Sequence, residues 1–146
     1  MTEPVDPVLA RGQSVLAQQP FSVLLGAELS VFAPGQAEIR LPIRQELRQQ
    51  HGFVHGGVLA YLADNALTYA GGSSLSGQIV TAEMKINYTR PAIGELLIAR
   101  ASVVSAGRTQ AVARCDVFVV ADGVEKLCAA AQGTIAASPA PNDPKE

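Results

Sequence analysis

The chain has 146 residues, enough for one hydrophobic core and too few for two sizeable ones. Its net charge of −2 and pI near 5.7 exclude a broad nucleic-acid face, which needs clustered Lys and Arg. Only 16% of residues are charged, against about 25% in an ordinary soluble domain, so part of the folded surface is expected to be hidden against further copies of the chain. No apolar run approaches the ~18 residues of a bilayer span. The acidic start, Met1 to Asp6, lacks the basic flank and apolar stretch of a signal peptide. The setting expected from this is cytoplasmic.

Asp6-Pro7 ahead of Val8, Leu9, Val15 and Leu16 predicts a short helix, with Asp6 as N-cap, Pro7 at the first helical position and a stop before Pro20. Ala27 to Ala33 and Ala37 to Ile43 read as two strands around a Pro34-Gly35-Gln36 turn, the second with Ala37, Ile39, Leu41 and Ile43 on one face. Pro42 marks an edge or a strand end. After a polar stretch, Val58 to Ala70 reads as a helix that is apolar nearly all round, and therefore buried, with Gly71-Gly72 as its stop. Asp64, Asn65 and Thr68 are its polar exceptions.

Strands follow. Val80, Ala82, Met84, Ile86 and Tyr88 alternate with Thr81, Glu83, Lys85, Asn87 and Thr89, predicting a half-buried antiparallel strand. Leu96 to Ser105, Thr109 to Val120 and Glu125 to Ala137 are three more, with Asp122-Gly123 as a tight hairpin turn. The expected class is α+β: a curved antiparallel sheet of five to six strands around one long central helix, plus a short N-terminal helix, in one domain over residues 1–137 with a disordered tail from Ser138. One sheet leaves part of that helix uncovered, and pairing with a second copy would cover it.

Chemistry concentrates at two places. His55-Gly56-Gly57 opens the buried helix, where first-turn amides lack intrahelical partners, face outward at the positive end of the dipole and are approachable past glycine. Such a donor stabilises a carbonyl oxygen that gains charge during attack; the same glycines also serve tight packing. Asp64 is a carboxylate in an apolar helix, costly unless paired or functional. Eight residues of helix separate Gly56 from Asp64 by about 12 Å, whereas a base and an oxyanion donor must both lie about 3 Å from one reacting centre. If both serve one substrate, Asp64 comes from a neighbouring subunit. His51 and His55 have the spacing of two helical metal ligands, but the glycines weaken a helix there and no third ligand is near, so no metal is expected. Pairing through Asp122-Gly123 sets Cys115 opposite Ala130 and Cys128 opposite Val117, a diagonal that predicts two core thiols.

The run from Gly52 to Ala66, with His55-Gly56-Gly57 and Asp64, resembles the signature of the hotdog-fold acyl-CoA thioesterases of the phenylacetate-degradation (PaaI) type. Thr81 to Ala92, Gly94 and Gly107-Arg108 are similar to the family's next strand and turns, so the resemblance runs from about Phe21 to Ile135. It implies that the Gly56 amide polarises the thioester carbonyl and that Asp64, across a dimer interface, activates water or attacks directly. It also implies that His55 shapes the site or contacts the thioester end and that Thr81 orients water or Asp64. The family's Asn six residues before the motif's His is Gln49 here, an amide on a longer arm. Gly57, Arg90, Gly107 and Arg108 are assigned to the coenzyme A side, the two arginines as phosphate contacts or as plain solvated turn residues. No cofactor is implied. The expected partner is an aromatic or medium-chain acyl-CoA, with a homodimer as the minimal unit and a homotetramer as the expected assembly. A non-catalytic acyl-CoA binder on the same fold is the alternative; a hydratase would carry its His and carboxylate in a different motif.

Overall fold

The structure, a computed structural model, describes residues 3–138. Helix α1 spans Pro7–Ala17, opened as expected by Asp6, whose side chain accepts the Val8 N–H at 2.9 Å. A six-residue helix α2, Pro20–Leu25, follows with Pro20 in its first turn; it was not predicted, because so short a run shows no helical period. Strands β1 (Glu28–Ala33) and β2 (Gln36–Pro42) form the first hairpin, and Pro42 ends its strand. A 3₁₀ turn at Gln45–Leu47 leads to α3, Gly56–Gly72. Then come β3 (Gln78–Tyr88), β4 (Leu96–Ala106), β5 (Gln110–Ala121) and β6 (Val124–Ser138).

All pairings in the six-stranded sheet are antiparallel, in the order β1-β2-β4-β5-β6-β3. Helix α3 touches every one of these strands. A flat sheet of six strands would be about 24 Å wide, more than twice the ~10 Å diameter of a helix, so the sheet must curve around α3. This is the hotdog arrangement. Leu62, Ala63, Ala66, Leu67 and Ala70 of α3 are fully buried against it, and small residues on the strands (Ala99, Ala113, Ala129) give the helix room to lie close.

Four local expectations need correction. Gly71-Gly72 does not stop α3; both belong to its last turn, and the cap is Ser73. A Cβ on Gly71 would lie 2.8 Å from Ile135 Cγ1, so the glycine is there for close approach of helix to sheet. The alternation in β3 also breaks: a bulge between Thr81 and Glu83 leaves Ala82 unpaired, so Ile79 and Thr81 are half-buried, Val80 is 48% exposed, and the half-buried set resumes with Met84 and Ile86. A second bulge, between Val117 and Phe118, shifts the last hairpin by one, pairing Cys115 with Ala131 and leaving Cys128 as the extra residue. Both cysteines are buried free thiols, as expected. The hairpin turn is the predicted one, with Asp122 and Gly123 at φ of 50° and 76°, the paired positive values of a type I′ turn. Ser138, expected to begin the tail, is the last residue of β6; the rest of that tail lies outside the described residues.

Candidate active site

His55 caps α3 with its own ring: Nδ1 accepts the Gly57 N–H at 2.8 Å. In the neutral ring this leaves the proton on Nε2 as an outward donor. The Gly57 amide is thereby satisfied, whereas the Gly56 N–H, one residue earlier, has no hydrogen-bond partner among the described residues. Gly56 lines a cleft of about 360 Å³ with Phe53, Tyr88, Arg90 and Pro91. A Cβ at Gly56 would touch the Tyr88 ring at 3.4 Å, so glycine keeps the amide reachable between helix and ring. Of the expected coenzyme A residues, Arg90 is in this cleft. Gly107 and Arg108 form the β4–β5 turn, near the opposite end of α3, since Gly71 packs against Ala111 and Ile135.

Asp64 is half-buried on α3. Its Oδ1 accepts a 2.5 Å hydrogen bond from Thr81 Oγ1, and Oδ2 has no partner among the described residues. The bulge in β3 is what turns Thr81 toward the helix. Thr68, one turn beyond Asp64, donates to the Asp64 carbonyl at 2.8 Å and lies 3.1 Å from Thr81 Oγ1. The result is a carboxylate with one oxygen held and the other available, beside an edge strand.

Gln49 is held in its own turn. Its Oε1 accepts the His51 N–H, its backbone N–H donates to Phe53 O at 2.9 Å, and its carbonyl accepts from Gly52 N–H at 3.0 Å. Only its Nε2 is left for a ligand. His51 stacks on Phe53.

Sequence reasoning missed Tyr88, which the alternation had placed on the inner face, and a polar network beside Asp64. In that network Tyr61 OH donates to Ser22 Oγ at 2.5 Å, Ser22 donates to Gln19 Oε1 at 2.6 Å, and Asn65 Nδ2 reaches Tyr61 OH at 3.1 Å. Burial pushes the Tyr61 hydroxyl above its ordinary range against the lowering effect of these bonds. The signal that was available is the spacing of Tyr61, Asn65 and Thr68, three polar groups within two turns of an otherwise apolar helix.

Residues 51–126, which include the capping His55, Gly56, Asp64 and Thr81, match the family model described as the thioesterase superfamily. The chain belongs to the thioesterase superfamily. Its activity class is accordingly thioester hydrolysis. A thioesterase family protein from Silicibacter pomeroyi is 36% identical and superposes with a TM-score of 0.80 over 84% of this chain and 92% of that one. The phenylacetic acid degradation protein PaaI from Thermus thermophilus is 34% identical, with a TM-score of 0.71 over 82% of this chain and 100% of that one. A 1,4-dihydroxy-2-naphthoyl-CoA hydrolase of Listeria monocytogenes is 26% identical over 114 residues, 77% of this chain and 90% of that protein. Among the described residues of this thioesterase-superfamily chain, no helix is long and apolar enough to cross a membrane.

Proposed function

We propose that this thioesterase hydrolyses an aromatic or medium-chain acyl-CoA to the free acid and coenzyme A. The unpartnered Gly56 amide receives the thioester oxygen, and Asp64 of a second protomer acts as base or nucleophile. The observation that carries this reading is the Asp64 carboxylate, held by Thr81 through one oxygen and free at the other, eight residues from an unpartnered amide on the same helix. Those eight residues keep the two groups too far apart to meet within one chain. A homodimer that places two such helices antiparallel brings each amide to the other chain's acid. β3 is an edge strand carrying half-exposed Val80 and Tyr88, a surface suited to pairing with a second copy. In such a site Tyr88 walls the amide, and Arg90 is a charge-assisted contact for the phosphates of coenzyme A. Arg108, with Gly107, would contribute to the same end only from a neighbouring chain.

A panel of acyl-CoA esters with thiol-release detection tests the proposal. Wild type should turn over members carrying aromatic or medium-chain acyl groups, and Asp64→Asn should lose at least ~10² in kcat, the usual contribution of a positioned base. Full activity in the variant would remove Asp64 from the chemistry, and binding without turnover would make the protein an acyl-CoA carrier.

A further inference from the structure

A cavity lies between α1 and the C-terminal half of α3. It has a volume of about 780 Å³ and is walled by Val8 and Val15 of α1, Phe32 of β1, Asn65 and Thr68 of α3, and Ile79 of β3. That volume is in the range of small-molecule sites. Resting on the function proposed above, we infer that this cavity is the acyl subsite of the protomer that supplies Asp64, and that α1 is the wall that sets acyl size.

Continuity with the acid comes first. Thr68 lines the cavity and lies 3.1 Å from Thr81 Oγ1, which holds Asp64 at 2.5 Å. The cavity wall is therefore one hydroxyl away from the carboxylate. An acyl carbon attacked at Asp64 lies about 3 Å from it or from its water, and the rest of the acyl group must extend from that point. Toward the sheet the way is closed by Leu62, Ala63, Ala66 and Leu67, all fully buried. Toward α1 there is space, and apolar surface to fill it. Val8 and Val15, seven residues apart and so on one face of α1, are 48% and 49% exposed, and a hydrocarbon in the cavity would cover them.

The wall is also fixed in place. Tyr69 OH donates to Gly12 O at 2.9 Å and Gln13 Nε2 to Leu29 O at 3.0 Å, while a Cβ at Gly12 would collide with Phe32 and lie 2.7 Å from Leu29 Cδ2. Burial pushes the Tyr69 hydroxyl up to about 12, so that bond keeps its proton across the working pH range. These contacts tie α1 to α3 and to β1. The site divides accordingly: the cleft at Gly56 and Arg90 takes the thioester and coenzyme A end, and the α1 cavity of the chain bearing Asp64 takes the acyl end.

The test enlarges side chains that face the cavity and touch neither Asp64 nor Gly56. Wild type, Val15→Trp and Val8→Trp are compared in kcat/KM on acetyl-CoA and octanoyl-CoA, and in affinity for the non-hydrolysable thioethers S-ethyl-CoA and S-octyl-CoA by calorimetry. Each variant should lower octanoyl-CoA turnover and S-octyl-CoA affinity about tenfold or more, the effect of uncovering two or more methylenes, and change the two-carbon ligands less than about twofold. Two variants on different turns guard against local misfolding of α1. Equal losses for short and long ligands, no loss for either, or no binding of S-octyl-CoA by wild type would each overturn the subsite. A wild type that hydrolyses nothing would overturn the proposed function, while the thioether affinities would still decide the subsite.

Discussion

At the scale of the residue, Gly56 and Asp64 are both defined by what they lack. Gly56 is the first residue of α3, so its amide has no carbonyl four residues back to receive it. His55 satisfies the next amide and leaves this one. Proline is tolerated at a first helical position, and the His55 ψ of 134° already has the extended value preferred before proline. Gly56→Pro therefore deletes the N–H and keeps the helix start, while its ring adds carbons beside Tyr88, against which a Cβ already stands at 3.4 Å. In the thioesterase reading it should lower kcat by about 10²–10³, as loss of a single oxyanion donor does, with a thermal midpoint close to that of wild type by circular dichroism. Retained kcat would place the oxyanion elsewhere. His55, Gly56 and Asp64 were legible because glycine and aspartate are out of place in an apolar helix. Tyr88 was not, because its part in the cleft depends on which strand passes the helix start.

Elements show where local preference is overruled. Gly71 in the last turn of α3 would gain helix propensity as alanine, by about 1 kcal/mol. Against that, the new Cβ would press on Ile135 at 2.8–2.9 Å inside the core, and overpacking costs typically 1–3 kcal/mol. Gly71→Ala should therefore destabilise the protein by up to about 2 kcal/mol in urea unfolding. A stabilised variant would mean that propensity outweighs packing there. The bulge in β3 is a comparable case: strict alternation in the sequence puts Thr81 on the outer face, yet one extra residue, Ala82, turns it to Asp64. Periodicity reports which residues prefer burial; it does not report where a strand inserts one residue against its partner.

On the scale of the whole molecule, the site as proposed is completed only by two chains, and mixing inactive chains tests this. When Asp64→Asn and Gly56→Pro protomers are co-refolded in equal amounts, half of the dimers are mixed and each holds one intact site. Activity should return to about a quarter of wild type. No recovery would mean that each chain supplies both groups itself. The core sets the response to alkali. Burial raises the Cys115 thiol to about 12 and the Cys128 thiol to about 11, from an ordinary 9. Between pH 9 and those values the unfolded chain has lost protons that the native chain keeps, so stability is full below pH 9 and falls as pH rises above it. Urea midpoints measured from pH 7 to 10.5 should hold and then decline, and Cys115→Ala should decline less steeply. An equal slope in the variant would remove Cys115 from the titration.

The sequence by itself determined the antiparallel α+β class, the buried helix, the tight hairpin turn at Asp122-Gly123 and the prominence of His55, Gly56 and Asp64, because each is a matter of local period, turn chemistry or a polar group in apolar company; Thr81 entered only through the family resemblance. Tertiary structure alone decided the bulge that turns Thr81 to Asp64, the one-residue shift at Cys128, the Tyr88 wall beside Gly56 and the cavity under α1. All four depend on how segments far apart in the chain meet across a curved sheet, and curvature and bulges are set by the packing of the whole core rather than by any stretch of residues.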